Sequence, residues 1–153
     1  SQSRPGRSGM NDQHPSQTPP DCALLGFRLL VALLIGIHGW YRLAAGTSPV
    51  FGGWLATQGI PLAHAVAWGV TLSEIVGSAC LAIGLCVRPL ALLFMAIYAM
   101  GIVLVHAPEG WFVVGGGRNG MEYSVLLIGS LALVALRIRE PIWAVIPPKA
   151  GVQ

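Results

Sequence analysis

The fold is decided by the stretch LAHAVAWGVTLSEIVGSACLAIGLC, which covers residues 62–86. It is long enough to cross a bilayer, because a spanning helix needs about 17–25 apolar residues. Glu74 lies near its middle, and no other Lys, Arg, Asp or Glu occurs between Arg42 and Arg88. A carboxyl group at that depth costs roughly 2.5–3.5 kcal/mol or more. We therefore expect Glu74 to face protein or trapped water and to have a partner.

Small residues recur at every fourth position of the same stretch, at Ala65, Gly69, Ser73 and Gly77. In membrane helices this spacing lets a second backbone approach closely. The pattern predicts that this face packs against a neighbouring helix.

The composition is that of a membrane protein of one domain. Of 153 residues, 54 % are apolar and 10 % are charged, whereas soluble domains have about 25 % charged residues. The formal net charge is +3, but the basic residues are scattered between apolar runs and form no patch, so nucleic acid is not an expected partner. The three cysteines have neither CxxC nor metal-ligand spacing, which predicts neither a disulfide framework nor a metal site.

Apolar segments alternate with loops rich in glycine and proline. The segments cover residues 23–45, 62–86, 90–105 and 122–136, and the longer loops cover residues 47–61 and 109–120. The first of these loops is predicted to be irregular, with a short interfacial helix as the alternative. Residues 1–22 are predicted to be a disordered tail, residues 23–140 the transmembrane domain, and residues 141–153 a short C-terminal tail.

Basic residues predict the orientation of these segments. One side of the membrane would hold Arg4, Arg7, Arg88, Arg137, Arg139 and Lys149, and the other only Arg42 and Arg118. The side richer in Lys and Arg is normally cytoplasmic. The predicted fold class is therefore all-α, a four-helix transmembrane bundle with both termini in the cytoplasm.

The first segment carries a polar face that should point into the bundle. At about 100° per residue, a sector of about 100° contains Arg28, His38, Gly39 and Arg42. Counted by depth, Glu74 lies between Arg28 and His38, so we expect it to pair with Arg28, or else with His38. Whether the pair is structural or functional stays open.

Further polar groups collect in the outer half of the predicted bundle, namely His38, Arg42, His106, Glu122 and Tyr123. Such a mixture is more typical of a site for a polar head group or a quinone carbonyl than of a metal site. Each residue has a plainer alternative role. His38 can bond a neighbouring helix, Arg42 can extend to lipid head groups, and His106 and Glu122 can simply end and begin helices.

The order of these residues is similar to that of a known family. The sequence contains, in this order, Arg28-Leu29, His38-Gly39 with Arg42, Gly59-Ile60-Pro61, Glu74 with Gly77, Arg88, His106 and Gly120-Met121-Glu122-Tyr123. In this the chain resembles the DoxX family of small bacterial membrane proteins. The resemblance implies a multi-pass, four-helix protein of the bacterial cytoplasmic (inner) membrane. Where the family usually has Lys after His-Gly, this chain has Arg42, which keeps the charge but lacks a titratable amine.

Some DoxX relatives are described as subunits of thiosulfate:quinone oxidoreductases, and others as parts of membrane complexes with soluble redox partners. The resemblance therefore implies a redox-associated subunit that binds a quinone or a similar amphiphile, with no covalently bound cofactor. The catalytic candidates are His38, Arg42, Glu74, His106 and Glu122, and the ligand-contacting candidates are Arg28, Tyr98 and Tyr123. The alternative is a non-catalytic scaffold for soluble redox proteins. Enzymatic activity and homo-oligomerisation stay open.

Overall fold

A computed structural model describes residues 22–114 and 118–137. Within these ranges the regular structure is entirely helical, without a strand. The helices are α1 (Cys22–Ala44), α2 (Ser48–Thr57), α3 (Ala63–Ile83), α4 (Val87–Glu109) and α5 (Glu122–Arg137). The predicted C-terminal tail, and the N-terminal tail up to residue 21, lie outside the described residues.

Three of the described helices, α1, α3 and α4, are long and apolar enough to cross a membrane. The fourth predicted segment forms α5, whose 16 residues within the described part of the chain are fewer than a span normally needs. The all-helical class and the membrane assignment are therefore confirmed. The fourth span and the location of the termini stay predictions.

The connection between α3 and α4 is a tight turn. Gly84 ends α3 with a φ of +84°, a left-handed conformation that glycine adopts without steric cost. The backbone N–H of Leu85 then donates to the Cys80 carbonyl at 2.8 Å. Pro89 falls in the first turn of α4, where a missing N–H breaks no helical hydrogen bond. The chain thus reverses direction within a few residues.

The loop of residues 47–61 contains a helix, α2, which confirms the helix of the alternative prediction, while its place at the membrane interface stays a prediction. This helix packs beside the start of α3, where Leu55, Ala63 and Ala67 form a small buried cluster. Phe51 and Trp54 cover the cluster from α2. As a result, the first residues of α3 lie beside α2 and beyond the end of α1, and not at the same level as the end of α1.

The main core fills the end of the bundle nearest the α3–α4 turn. It is formed by buried residues of four helices, namely Val31, Ala32, Ile35, Leu81, Val87, Ala91, Phe94, Leu127, Leu131 and Val134. The core residue of α3 comes from its later half and those of α4 from its earlier half, since these two helices run in opposite directions, whereas those of α1 and α5 extend to the middle of each helix. The opposite end of the bundle is less tightly filled and contains a cavity.

The predicted small-residue face of α3 is wrong over its first half. Ala65 and Gly69 are exposed, whereas Gly77 is buried against Phe94. A strict spacing of four drifts by about 40° per step on a helix of 3.6 residues per turn, so these residues wrap around the helix. The face that is buried instead contains Ala63, Ala67, Thr71, Glu74, Ser78 and Leu81.

Close approach of α1 and α3 depends on glycines of α1. A Cβ atom at Gly39 would lie 2.9 Å from Glu74 Cβ, from Ile75 Cγ1 and from the Thr71 carbonyl oxygen. A Cβ atom at Gly36 would lie 2.9 Å from Ser78 Oγ. The two backbones therefore cross closest at the level of Glu74.

Gly39→Ala should lower the free energy of unfolding by about 1–3 kcal/mol, because the added methyl group meets backbone as well as side chains. Gly69→Ala is the matched control, since nothing lies within 4 Å of its Cβ position. Denaturant titration of the detergent-solubilised variants measures both. Equal stability of the two variants would contradict the close crossing at Gly39.

Candidate ligand-binding site

A cavity of about 540 Å³ lies in the half of the bundle away from the main core. Its polar lining consists of His38, Arg42, Glu74, Tyr98, His106, Asn119, Tyr123 and Ser124. Its walls are otherwise mainly apolar, formed by residues of α2, α3 and α4 such as Phe51, Val70 and Leu104. Glu74 and Tyr98 lie at the inner end of the cavity, next to the packed core.

Glu74 forms an ion pair with Arg42, through Oε2 of Glu74 and Nη2 of Arg42. The side chain of Glu74 is 2 % exposed and that of Arg42 is 19 % exposed, so the pair is largely shielded from the surroundings. The predicted need of Glu74 for a partner is thus met by a residue of α1, although not by the one expected.

The predicted pairing of Glu74 with Arg28 is wrong, and so is the second choice, His38. Nη2 of Arg28 donates to the Ala82 carbonyl at 3.2 Å, and Ala82 lies eight residues, or about 12 Å, along α3 from Glu74. The predicted pairing rests on depths in the membrane that are counted from the ends of the apolar segments. Because α3 begins beside α2, beyond the end of α1, that count placed Glu74 too deep relative to α1.

Two buried hydroxyl groups hold Arg42 in place. Nε of Arg42 donates to Thr71 Oγ1 at 3.3 Å, and Thr71 Oγ1 donates to the Ala67 carbonyl at 2.9 Å. Ser48 Oγ lies 3.2 Å from Thr71 Oγ1 and must be the donor, since the Thr71 hydrogen is already used. The Arg42 guanidinium also lies over the Phe51 ring, 5.3 Å from its centroid. Arg42 therefore joins α1, α2 and α3.

Sequence reasoning missed both hydroxyl residues. Thr71 had a usable signal, because it lies three residues before Glu74 and therefore on the same face of α3. Ser48 had none, since its position depends on the turn between α1 and α2.

Glu74 lies within a π-helical turn of α3, Ser73–Gly77, and a second π turn, Ile102–His106, occurs in α4. Such turns are rare and are frequently found at functional sites. Both lie in stretches that line the cavity. No pattern in the sequence indicated either of them.

Aromatic side chains bring three further predicted residues together. Tyr98 Oη donates to Glu74 Oε1 at 3.4 Å, a long hydrogen bond. The His38 ring lies beside the rings of Tyr98 and Tyr123. The centroid of the His38 ring is 6.5 Å from that of Tyr98 and 6.3 Å from that of Tyr123. His38 and Tyr123 are exposed while lining the cavity, so the cavity is open on this side.

The loop between α4 and α5 covers the outer end. His106 Nδ1 donates to the Asn119 carbonyl at 2.7 Å, and His106 lines the cavity. Glu122 does not line it. Its Oε1 accepts the Val113 N–H at 3.0 Å, and its own N–H donates to the Trp111 carbonyl at 3.0 Å. Glu122 thus fastens this loop to the start of α5.

The structure therefore brings most of the predicted site residues to one cavity, and Arg28 and Glu122 are the exceptions. The chemical role of every one of them stays a prediction. No group of three or more His, Cys, Asp or Glu side chains within residues 22–114 and 118–137 could hold a metal ion. The arrangement places the guanidinium of Arg42, the hydroxyl of Tyr123 and the imidazole of His38 beside apolar walls.

A double-mutant cycle of Arg42→Gln and Glu74→Gln should show a coupling energy of about 0.5–3 kcal/mol in unfolding, because the two side chains are in contact. The control cycle of Arg28→Gln and Glu74→Gln should be additive within about 0.5 kcal/mol, because these residues are far apart. Reversible unfolding in detergent measures both cycles. A larger coupling for the Arg28 cycle would contradict the observed pairing.

Comparison with known proteins agrees with this architecture. The protein-family model DoxX matches residues 23–107, which extend from the start of α1 almost to the end of α4 and make up more than half of the chain. No curated protein and no solved structure matches the chain. On the strength of the family match, the chain belongs to the DoxX family of membrane proteins.

Proposed function

We propose that this protein binds a quinone or a similar amphiphile in the cavity and acts as a redox-associated membrane subunit. One observation carries the proposal: hydrogen-bonding side chains, among them Arg42, Tyr98 and Tyr123, line a mainly apolar cavity. The cavity volume of about 540 Å³ lies within the range typical of ligand sites. Such a site suits a molecule with a polar ring and an apolar tail.

The polar residues have natural roles in this proposal. The Arg42 guanidinium and the Tyr123 hydroxyl would donate hydrogen bonds to ring oxygens. His38 would exchange protons, because imidazole titrates closest to neutral pH. Reduction of a quinone to a quinol needs two electrons and two protons, and a soluble redox partner would supply the electrons. Glu122 has no part in this step, because its carboxylate holds the backbone of the outer loop.

A second candidate, a non-catalytic scaffold, is favoured by one surface. Trp111, Phe112 and Val114 in the loop between α4 and α5 are 49 %, 56 % and 75 % exposed. Exposed aromatic and apolar side chains are typical of contact surfaces. A scaffold would retain its co-purifying partners when Tyr98 is changed to Phe, and would lose them when Trp111 is changed to Ala.

We also propose the finer topology, four spans with both termini in the cytoplasm of a bacterial inner membrane. Its support is the pairing of α4 with α5. Arg88 Nε donates to the Ala135 carbonyl at 3.2 Å, so the start of α4 and the end of α5 are adjacent. Arg88 and Arg137 thus lie at one end of the bundle, and Arg118 precedes α5 at the other end.

Labelling of single thiols tests the topology. With Cys22 and Cys80 changed to Ser, exposed Cys86 reports on the α3–α4 turn. Arg118→Cys in a background without native cysteines reports on the opposite loop. A membrane-impermeant maleimide should label position 118 in intact cells and Cys86 only after permeabilisation. The reverse pattern would contradict the proposed orientation.

Binding itself is tested by titrating a short-tailed quinone into the protein in nanodiscs and following tryptophan fluorescence, since Trp54 lines the cavity. His38→Ala and Tyr123→Phe should each weaken binding roughly tenfold, the value of one good hydrogen bond. Tyr41→Phe is the matched control, because Tyr41 is 68 % exposed and does not line the cavity. Absence of saturable binding, or equal binding by all variants, would refute the proposal.

A further inference from the structure

The charges of the cavity cancel. Among the described residues that line it, Arg42 is the only Lys or Arg and Glu74 is the only Asp or Glu. These two side chains form an ion pair with each other. Apart from the histidines, whose charge depends on pH, the lining is therefore electrically neutral.

The pair is held so that neither partner is easily taken over by a ligand. Glu74 is almost completely buried and also accepts a hydrogen bond from Tyr98. Arg42 is fixed by Thr71 on one side and by the Phe51 ring on another. An anionic head group would have to share Arg42 with a carboxylate that is already in place. It would bring a net negative charge into a mainly apolar cavity.

We infer that the cavity selects amphiphiles with an uncharged, hydrogen-bonding head group, and that Glu74 sets this selectivity by neutralising Arg42. The inference rests on the proposed function and narrows its ligand class to neutral carbonyl or hydroxyl compounds. Carboxylate and phosphate amphiphiles are excluded, because a desolvated ion needs a compensating charge.

A neutral oxygen, by contrast, finds donors without disturbing the pair. A guanidinium carries five N–H donors, and the described contacts of Arg42 use its Nε and its Nη2. Its other nitrogen, Nη1, and the Tyr123 hydroxyl are the donors that the inference assigns to a ligand oxygen. Glu74 is a specificity-determining residue in this account, because it acts on the ligand through Arg42.

The test compares two ligands that share one naphthoquinone ring and one alkyl tail. The first carries a methoxy group beside the tail and is neutral. The second carries a hydroxyl group there and is an anion at neutral pH. The readout is the ligand-induced rise in unfolding temperature in nanodiscs, which registers binding even to a destabilised variant. Measurements at about pH 8 keep imidazole side chains mostly neutral.

The native protein should bind the neutral ligand at least about tenfold more tightly than the anion. The anion needs a counter-charge in the cavity and finds none, because Arg42 is already neutralised by Glu74. In Glu74→Gln the charge of Arg42 is uncompensated, so the order of affinity should reverse. Glu74→Asp, which keeps the carboxylate, is the matched control and should retain the native order. Glu74→Met also removes the carboxylate and serves as the second variant if Glu74→Gln does not fold.

The double variant Arg42→Gln, Glu74→Gln restores neutrality and should again prefer the neutral ligand. Equal binding of both ligands to the native protein would overturn the inference while leaving the proposed function standing. An unchanged order in Glu74→Gln and Glu74→Met, which lose the carboxylate but keep Arg42, would do the same. If neither ligand binds the native protein, the proposed function fails as well.

Discussion

The structure depends on how α1 satisfies a carboxylate buried in the middle of α3. Glu74 is shielded from its surroundings and paired with Arg42, and a buried charge without such a partner would be strongly destabilising. The pairing requires the two helices to cross closely, which Gly39 permits because it has no side chain at the crossing. It also draws in α2, since Ser48 and Thr71 together hold Arg42. One ion pair thus connects three helices.

The packed core and the cavity lie at opposite ends of the bundle. At the end near the α3–α4 turn, large apolar side chains such as Phe94 and Leu131 fill the space between the helices. At the other end, polar and aromatic side chains surround a cavity instead. The Arg42–Glu74 pair lies close to the boundary between them. Arginine suits this position, because it stays charged when partly buried and offers several donors in one plane.

Much of the fold followed from hydrophobicity, because long uncharged runs in a chain of low charge predict membrane helices directly. The burial of Glu74 and the gathering of His38, Arg42 and His106 at one site also followed from residue type and helical phase. The partner of Glu74 did not follow, because helix register depends on where α2 sits, and no periodicity encodes that. The same limit explains why Ser48 and the π turns were missed. Gly69 was misassigned because regular spacing does not fix which face of a helix is buried.

The central claim is that Arg42 and Glu74 form a direct pair across α1 and α3. Solid-state NMR of the protein in lipid bilayers measures it most directly, by recoupling ¹³Cδ of glutamate with the guanidinium ¹⁵N of arginine. A separation of about 4 Å, as in ion pairs generally, is expected, and the signal should disappear in Glu74→Gln and persist in Arg28→Gln. A signal that survives the loss of Glu74, or one abolished by Arg28→Gln, would contradict this account.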